Sequence, residues 1–254
     1  MIILEPGESG TLLPRSDRRW EHVKKVLKKR PGERVSAGIA TDAPFGQASG
    51  RVGEAIVRSL DDSGLVLDFE PFPGSAGEPP ELARLVLVLG FPRPIQAARI
   101  LRDLASLGVA EIHLALTELG EKSYAESAFF RDRDFRAHLV EGAEQAANPR
   151  LCAVSTHWSL RRCLDELRDI KAAERVALHP DGGLPLFGSL GPIADSASAP
   201  TVLAVGNERG WTDAEVAILR DAGFRLAGLG PRILRSETAA VAASVLALAR
   251  MGRM

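Results

Sequence analysis

The sequence predicts an α/β protein: a largely parallel sheet with its helices, preceded by a smaller β-rich domain. Three observations carry that expectation. The runs RLVLVLG, AEIHLAL, RVALHP, TVLAVGN and FRLAGLG are apolar without alternation, as strands covered on both faces must be. Amphipathic stretches separate them, giving the strand–helix rhythm of a parallel sheet. The N-terminal part has another texture, with short alternating runs (ERVSAGIA, GRVGEAIVRSL, GLVLDFE) divided by turn formers such as PFG and DDSG.

Along the chain, WEHVKKVLKK reads as a helix within a basic segment. Between Arg15 and Arg34 there are nine Lys or Arg residues against Asp17, Glu21 and Glu33. Such a cluster either is a solvated helix face or meets phosphates, which a net charge of −1 for the whole chain does not forbid. PFPGSAGEPPE, from Pro71 to Glu81, concentrates Pro, Gly and Ser and reads as a linker. The expected domains are residues 1–72 and 83–254, joined by 73–82. In the second, Ala97, Ile100, Leu101, Leu104 and Leu107 share one helix face closed by Gly108, and Phe135, Leu139 and Ala143 share another. Pro180 to Pro200 reads as an irregular loop around a short helical piece. The last helix is apolar nearly all round, with Val241, Val245 and Leu248 on one stripe.

Other classes are disfavoured. The N-terminus shows no secretory signal, and AAVAASVLALA is too short to span a bilayer, so a cytoplasmic protein is expected. Cys152 and Cys163 lie in no CxxC and have no paired histidine spacing, so no metal site and no disulfide framework is expected. The remaining histidines read as structural, with His113 a hydrogen-bonded core residue of an apolar strand. No GxGxxG follows a strand, which argues against a dinucleotide-binding dehydrogenase.

Residues 202–216, VLAVGNERGWTDAEV, draw attention to function. Thr212 and Glu215 match a capping box, so a helix starts there and ends near Gly223. The tract from Gly206 to Gly210 is then the loop at the carboxyl end of a parallel strand, where open α/β sheets bind ligands. The alternative is a tight turn with a solvated Glu-Arg pair.

LGPRILRSETA, within residues 226–250, closely resembles the LGxRILRxETA signature of SPOUT-class RNA methyltransferases, specifically the family that methylates N3 of a uridine in small-subunit (16S) ribosomal RNA. LAVGNERGWTDAEV stands where that family has a GPEGG-type loop and capped helix. EGAEQAANPRL resembles its EQ-containing helix, and WEHVKKVLKKRPGERV is similar to its N-terminal HxxxVLRxxxG segment. The chain departs from the pattern at Asn207 and Arg209, in LASLGV, which lacks an acidic residue, and in FPRPIQAAR, which lacks a lysine.

The resemblance implies a SPOUT domain with a trefoil knot, a PUA-like β-barrel that helps hold RNA, a homodimer, and S-adenosylmethionine (SAM) as cofactor without a metal. The cofactor residues it implies are Leu178, His179, Gly206, Asn207, Gly210, Leu229, Gly230, Ile233, Leu234 and Thr238. Arg235, Glu208 and Glu237 are the implied catalytic set, although Glu237 also suits a helix N-terminus without any further role. Arg15, Arg18, Arg19, Lys24, Lys25 and Lys28 are the implied RNA contacts. The rival reading is a catalytically silent SPOUT-like dimer that binds RNA in ribosome assembly or as a chaperone.

Overall fold

The structure is a computed structural model that describes residues 1–41, 50–181, 184–193 and 199–254. The PFG turn lies outside the described residues. The chain forms two compact units, Met1–Glu81 with Ala143–Leu151, and Leu82–Gly142 with Cys152–Met254.

The first unit is a five-stranded sheet of β1 (Ile2–Leu4), β2 (Leu12–Pro14), β3 (Arg34–Ile39), β4 (Arg51–Leu60) and β5 (Gly64–Pro71), in the order β1-β3-β4-β5-β2. Only β1 and β3 pair parallel; the other neighbours are antiparallel. Every second residue of β4 from Gly53 to Val57 is buried, as a half-covered strand requires. Ile2, Leu4, Leu13, Val35, Ala55, Val57, Leu65 and Leu67 form the core with Trp20 and Val23. These last two come from a helix shorter than the sequence suggests: α1 (Arg18–Glu21) continues as π-helical turns over His22–Val26, and Lys28 beyond it has a positive φ of 51°. Asp17 caps α1 by accepting from the Arg19 amide.

The stretch read as a linker is built into this unit. Pro71 ends β5, the Phe72 amide donates to the Val52 carbonyl, and Gly74–Gly77 forms a 3-10 turn with Gly77 buried. Residues 143–151 also join this unit, through Glu144, whose carboxylate accepts from the Ile3 amide and Arg18, and through the bridge of Thr41 with Arg150. Sequence placed them in the second domain because the helix entering them is continuous.

The second unit is built on a six-stranded, all-parallel sheet. Its strands are β6 (Ala83–Gly90), β7 (Val109–Ala115), β8 (Ala153–His157), β9 (Glu174–Leu178), β10 (Thr201–Val205) and β11 (Arg225–Ala227), in the order β11-β9-β10-β6-β7-β8. In central β6, Leu85, Leu87 and Leu89 join one core cluster while Val86 and Val88 are buried toward the opposite face. That cluster includes Ala97, Ile100, Leu101 and Leu104 of α2 (Pro94–Leu107), Phe130 of the single-turn α4 (Ala128–Arg131), which follows the single-turn α3 (Lys122–Ala125), and Phe135 and Leu139 of α5 (Arg136–Gln145) with its lead-in. β8 was not foreseen. Its sequence, AVSTH, is polar because it is an edge strand with one long side free.

The final helix, α8 (Ser236–Arg250), corrects its expected stripe. It buries Ala240, Ala243, Ala247 and, of that stripe, Leu248, whereas Val241 and Val245 are only half-buried. Small side chains let α8 pack closely on α2, β6 and β10. Between β9 and β10 the short helical piece is a 3-10 turn, Phe187–Ser189. No helix among the described residues is long and apolar enough to cross a membrane.

His113 is indeed a hydrogen-bonded core residue: its Nδ1 lies 3.0 Å from His157 Nε2. Burial, and then the neighbouring His113, hold His157 below the usual histidine range. Cys152 and Cys163 are buried and form no disulfide with each other, and burial pushes the Cys163 thiol up to about 12.

Candidate active site

The carboxyl ends of β9, β10 and β11 are joined by backbone and side-chain bonds. Beyond β10 the chain folds back on itself, with Asn207 and Gly210 bridged and the Gly210 amide on the Asn207 carbonyl at 3.0 Å. Trp211, buried, donates its indole N–H to the Leu178 carbonyl at 3.1 Å, tying this loop to the end of β9. The His179 amide reaches the Ala227 carbonyl at 3.0 Å, and the Phe187 amide reaches Gly228 at 2.8 Å, which fastens the β9 exit to the β11 exit.

Helix α7 (Asp213–Asp221) anchors the loop's far end. Its capping box is formed: the Thr212 hydroxyl accepts from the Glu215 amide, and Glu215 accepts from the Thr212 amide. Glu215 is 2% exposed and also accepts from the Glu118 amide at 2.9 Å, while Thr212 donates to the Glu118 carboxylate. The charge is thus surrounded by donors, as a buried carboxylate requires.

Asn207 explains itself in this setting. Its side chain is buried, donating to Thr117 Oγ1 at 2.9 Å and accepting from the Arg209 amide at 2.8 Å. It fixes the loop and has little left for a ligand. Gly90, at the end of β6, makes room for it: a Cβ there would lie 2.5 Å from the Asn207 nitrogen.

These loops enclose a pocket of about 310 Å³. Leu178, His179, Gly206, Asn207, Gly210, Leu229, Gly230, Ile233 and Leu234 line it, and so do Glu208, Arg209 and Arg232. Pro180, Val205, Ser236 and Ala239, which sequence reasoning did not single out, complete the lining. Gly230 has a φ of +117°, a conformation side chains rarely adopt, and a Cβ there would meet nothing within 4 Å, so this rim is open.

Thr238, Arg235 and Glu237 stand off the lining. Thr238 is exposed on the first turn of α8. Arg235, its side chain 83% exposed, precedes α8 and lies 3.9 Å from Glu237, itself in the helix's first turn. Glu208 accepts from the Arg93 amide at 3.2 Å, at the N-terminus of α2, where the helix dipole favours a carboxylate. Arg209 does not plug the pocket. Its side chain is 63% exposed and its guanidinium lies 3.6 Å from Glu121.

In the first unit, Arg15, Arg18, Lys24, Lys25 and Lys28 are exposed. Lys24 sits over the Trp20 ring at 4.4 Å, Arg18 pairs with Glu144 and Lys25 with Glu21. Arg19 differs from the rest and corrects its expected role. Its side chain is 11% exposed and is held by Asp17 and Glu8. Burial works against its charge, but the bonds from Asp17 and Glu8 outweigh it and raise its pKa. Those carboxylates are correspondingly lowered, Arg19's bonds outweighing the upward push of burial. Unlike its exposed neighbours, Arg19 therefore turns its guanidinium inward to carboxylates of its own unit.

A family described as the RNA methyltransferase domain matches residues 78–248. The chain is 37% identical to the ribosomal RNA small subunit methyltransferase E of Treponema pallidum, over 92% of this chain and 83% of that protein. It is 28% identical to ribosomal RNA small subunit methyltransferase E 1 of Borreliella burgdorferi, over 100% of this chain and 99% of that protein. The crystal structure of a ribosomal RNA small subunit methyltransferase E from Neisseria gonorrhoeae, bound to S-adenosyl methionine, shares the fold with a TM-score of 0.70, at 22% identity over 98% of this chain and 97% of that one. On the family match and the extent of the Treponema likeness, the chain belongs to the RNA methyltransferase family that includes the ribosomal RNA small subunit methyltransferases E.

Proposed function

We infer that the protein is a SAM-dependent methyltransferase of small-subunit ribosomal RNA, acting at N3 of a uridine in 16S rRNA. The observation that carries this reading is the convergence of three strand-end loops on one glycine-edged pocket in a chain of this family. The pocket suits the cofactor on its own terms. Its volume of about 310 Å³ falls within the roughly 300–1,000 Å³ common for small-molecule sites. Leu178, Leu229, Ile233 and Leu234 offer apolar walls for a flat, uncharged adenosine, and Gly206, Gly210 and Gly230 leave backbone groups uncovered. When bound, SAM supplies an electrophilic methyl group.

The chain's own residues supply position and charge. Asn207 holds the loop, and in this reading Glu208, a carboxylate on the lining, orients the base and takes the N3 proton as the uridine becomes nucleophilic. Arg235 is free to bind a phosphate or to offset negative charge developing on the uracil, with Glu237 steering it. Most of the rate comes from such alignment. Arg15, Arg18, Lys24, Lys25 and Lys28 contribute salt-dependent phosphate contacts from a PUA-like RNA-binding unit. A homodimer in the cytoplasm completes the reading. Ile233, 87% exposed beside the pocket, and half-buried Val241 and Val245 are apolar surface that a second copy would cover.

Calorimetry with S-adenosylhomocysteine is expected to give one site per chain, and labelled methyl from SAM is expected in small-subunit ribosomal RNA. Neither heat nor a thermal shift at millimolar ligand would leave the silent RNA-binding dimer in its place. Label found in transfer RNA alone would remove the target and keep the chemistry.

A further inference from the structure

The second unit holds a buried side-chain cluster away from the pocket. His113 on β7 and His157 at the end of β8 come from adjacent parallel strands, in which His113 faces Ser155 and His157 faces Ala115. Cys163 is contributed by α6 (Leu160–Glu166), which packs on both strands. All three residues are buried, and one nitrogen of each histidine and the Cys163 sulfur lie within 4.8 Å of one another.

The outer faces of the two rings decide what this cluster wants. His113 turns Nε2 toward Glu111 at 3.3 Å, and His157 turns Nδ1 toward Glu166 at 3.6 Å. A carboxylate beside a ring nitrogen favours an N–H there, the arrangement that orients a metal-bound histidine. Two neutral imidazoles have only two N–H groups. If both point outward, His113 Nδ1 and His157 Nε2 are left as two lone pairs facing each other at 3.0 Å. Either a shared proton, which makes this contact the hydrogen bond of the metal-free pair, or a metal ion belongs between them.

We propose that His113 Nδ1, His157 Nε2 and Cys163 Sγ bind a divalent transition-metal ion of the zinc type, as a clamp joining β7, β8 and α6. Two imidazoles and one thiolate are a donor set zinc accepts. On binding, each imidazole gives a lone pair to the metal, and Cys163 releases its thiol proton to solvent as the sulfur–metal bond forms. The ion and thiolate together carry one positive charge, which Glu111 and Glu166 border. Cys152, buried on the other cluster with Leu139 and Ile112, takes no part. The site is independent of the methyltransferase reading, because none of its residues lines the pocket.

The test uses the full-length protein, stripped with a chelator and titrated with Zn²⁺ against a competing chelating dye, then with Co²⁺ under absorption. The expected result is one tight zinc per chain, a thiolate-to-cobalt charge-transfer band, and a rise in unfolding temperature with zinc. Cys163→Ser is expected to lose the band and more zinc affinity than Glu166→Gln, for which about 10–100-fold is usual at such a position. Cys152→Ser should bind as the wild type does. Because Cys163→Ser could disturb the core, its unfolding without metal is compared with that of the stripped wild type; His157→Gln gives a second route to the same loss. No stoichiometric uptake by the wild type, or equal uptake by wild type and Cys163→Ser, overturns the proposal and leaves a metal-free imidazole pair.

Discussion

The pocket beyond β9, β10 and β11 and the histidine cluster beside β7 and β8 belong to one sheet, yet they are made of different materials. The pocket's frame is backbone: amide–carbonyl bonds between loops, glycines at close approaches, and a few buried side chains such as Asn207 and Glu215 used as struts. Its larger polar side chains, Glu208, Arg209 and Arg232, are exposed. The histidine cluster is the reverse, with regular strands for a frame and all its chemistry in three buried side chains. A site of the first kind tolerates drift in its polar residues while its glycines hold. One of the second kind changes character with any single substitution.

That contrast can be broken most severely at Gly90. Gly90→Ala drives a Cβ against the Asn207 nitrogen, and overpacking of this sort costs about 1–3 kcal/mol. Denaturant unfolding should show that loss, and calorimetry should show binding of S-adenosylhomocysteine weakened by about tenfold or more. Zinc uptake should be unchanged. A loss of both would mean that the two sites are not separate.

Asn207→Ala is the milder probe. It removes the buried bond to Thr117 and the acceptor for the Arg209 amide, worth about 1 kcal/mol. The expected signature is weaker cofactor binding with a smaller change in global stability, read from the same two measurements. Unaltered cofactor affinity would show that the loop holds its shape without this strut.

The smallest effect expected comes from a third arrangement, Arg19 with Asp17 and Glu8 in the first unit, which is side-chain-built like the histidine cluster. Both carboxylates are held below their ordinary values of roughly 4, the Arg19 bonds outweighing the upward push of burial. Their contribution is therefore complete above those values and is lost as pH falls through the lowered folded values. Unfolding midpoints measured from pH 7 down to pH 3 should fall less steeply in Arg19→Ala than in wild type. In Lys28→Ala the pH profile should be unaltered, while the salt dependence of RNA affinity should decrease by roughly one phosphate contact.

Legibility in the sequence follows the same division. The Thr212–Glu215 cap, the helix stop at Gly108 and the five core strands are local patterns, and local patterns carry their own periodicity. Gly206 and Gly210 stood out for the same reason, because backbone geometry leaves its mark on consecutive residues, whereas Gly230 was reached only through the resemblance of LGPRILRSETA. β8 was hidden because an edge strand need not be apolar, and Arg19 was grouped with its neighbours because charge count says nothing about which guanidinium turns inward. His113, His157 and Cys163 had no visible pattern at all. The strand register and the packing of α6 bring them together, and neither can be read from their separation along the chain.

Trp211 gives the pocket an optical reporter. Its indole, next in sequence to Gly210 of the lining, is anchored to the carbonyl of Leu178, another lining residue, whereas Trp158 is largely exposed and Trp20 lies in the first unit's core. With Trp20 and Trp158 replaced by Phe, the remaining emission comes from a ring tied to the binding cleft, so occupancy can be followed in real time without a label.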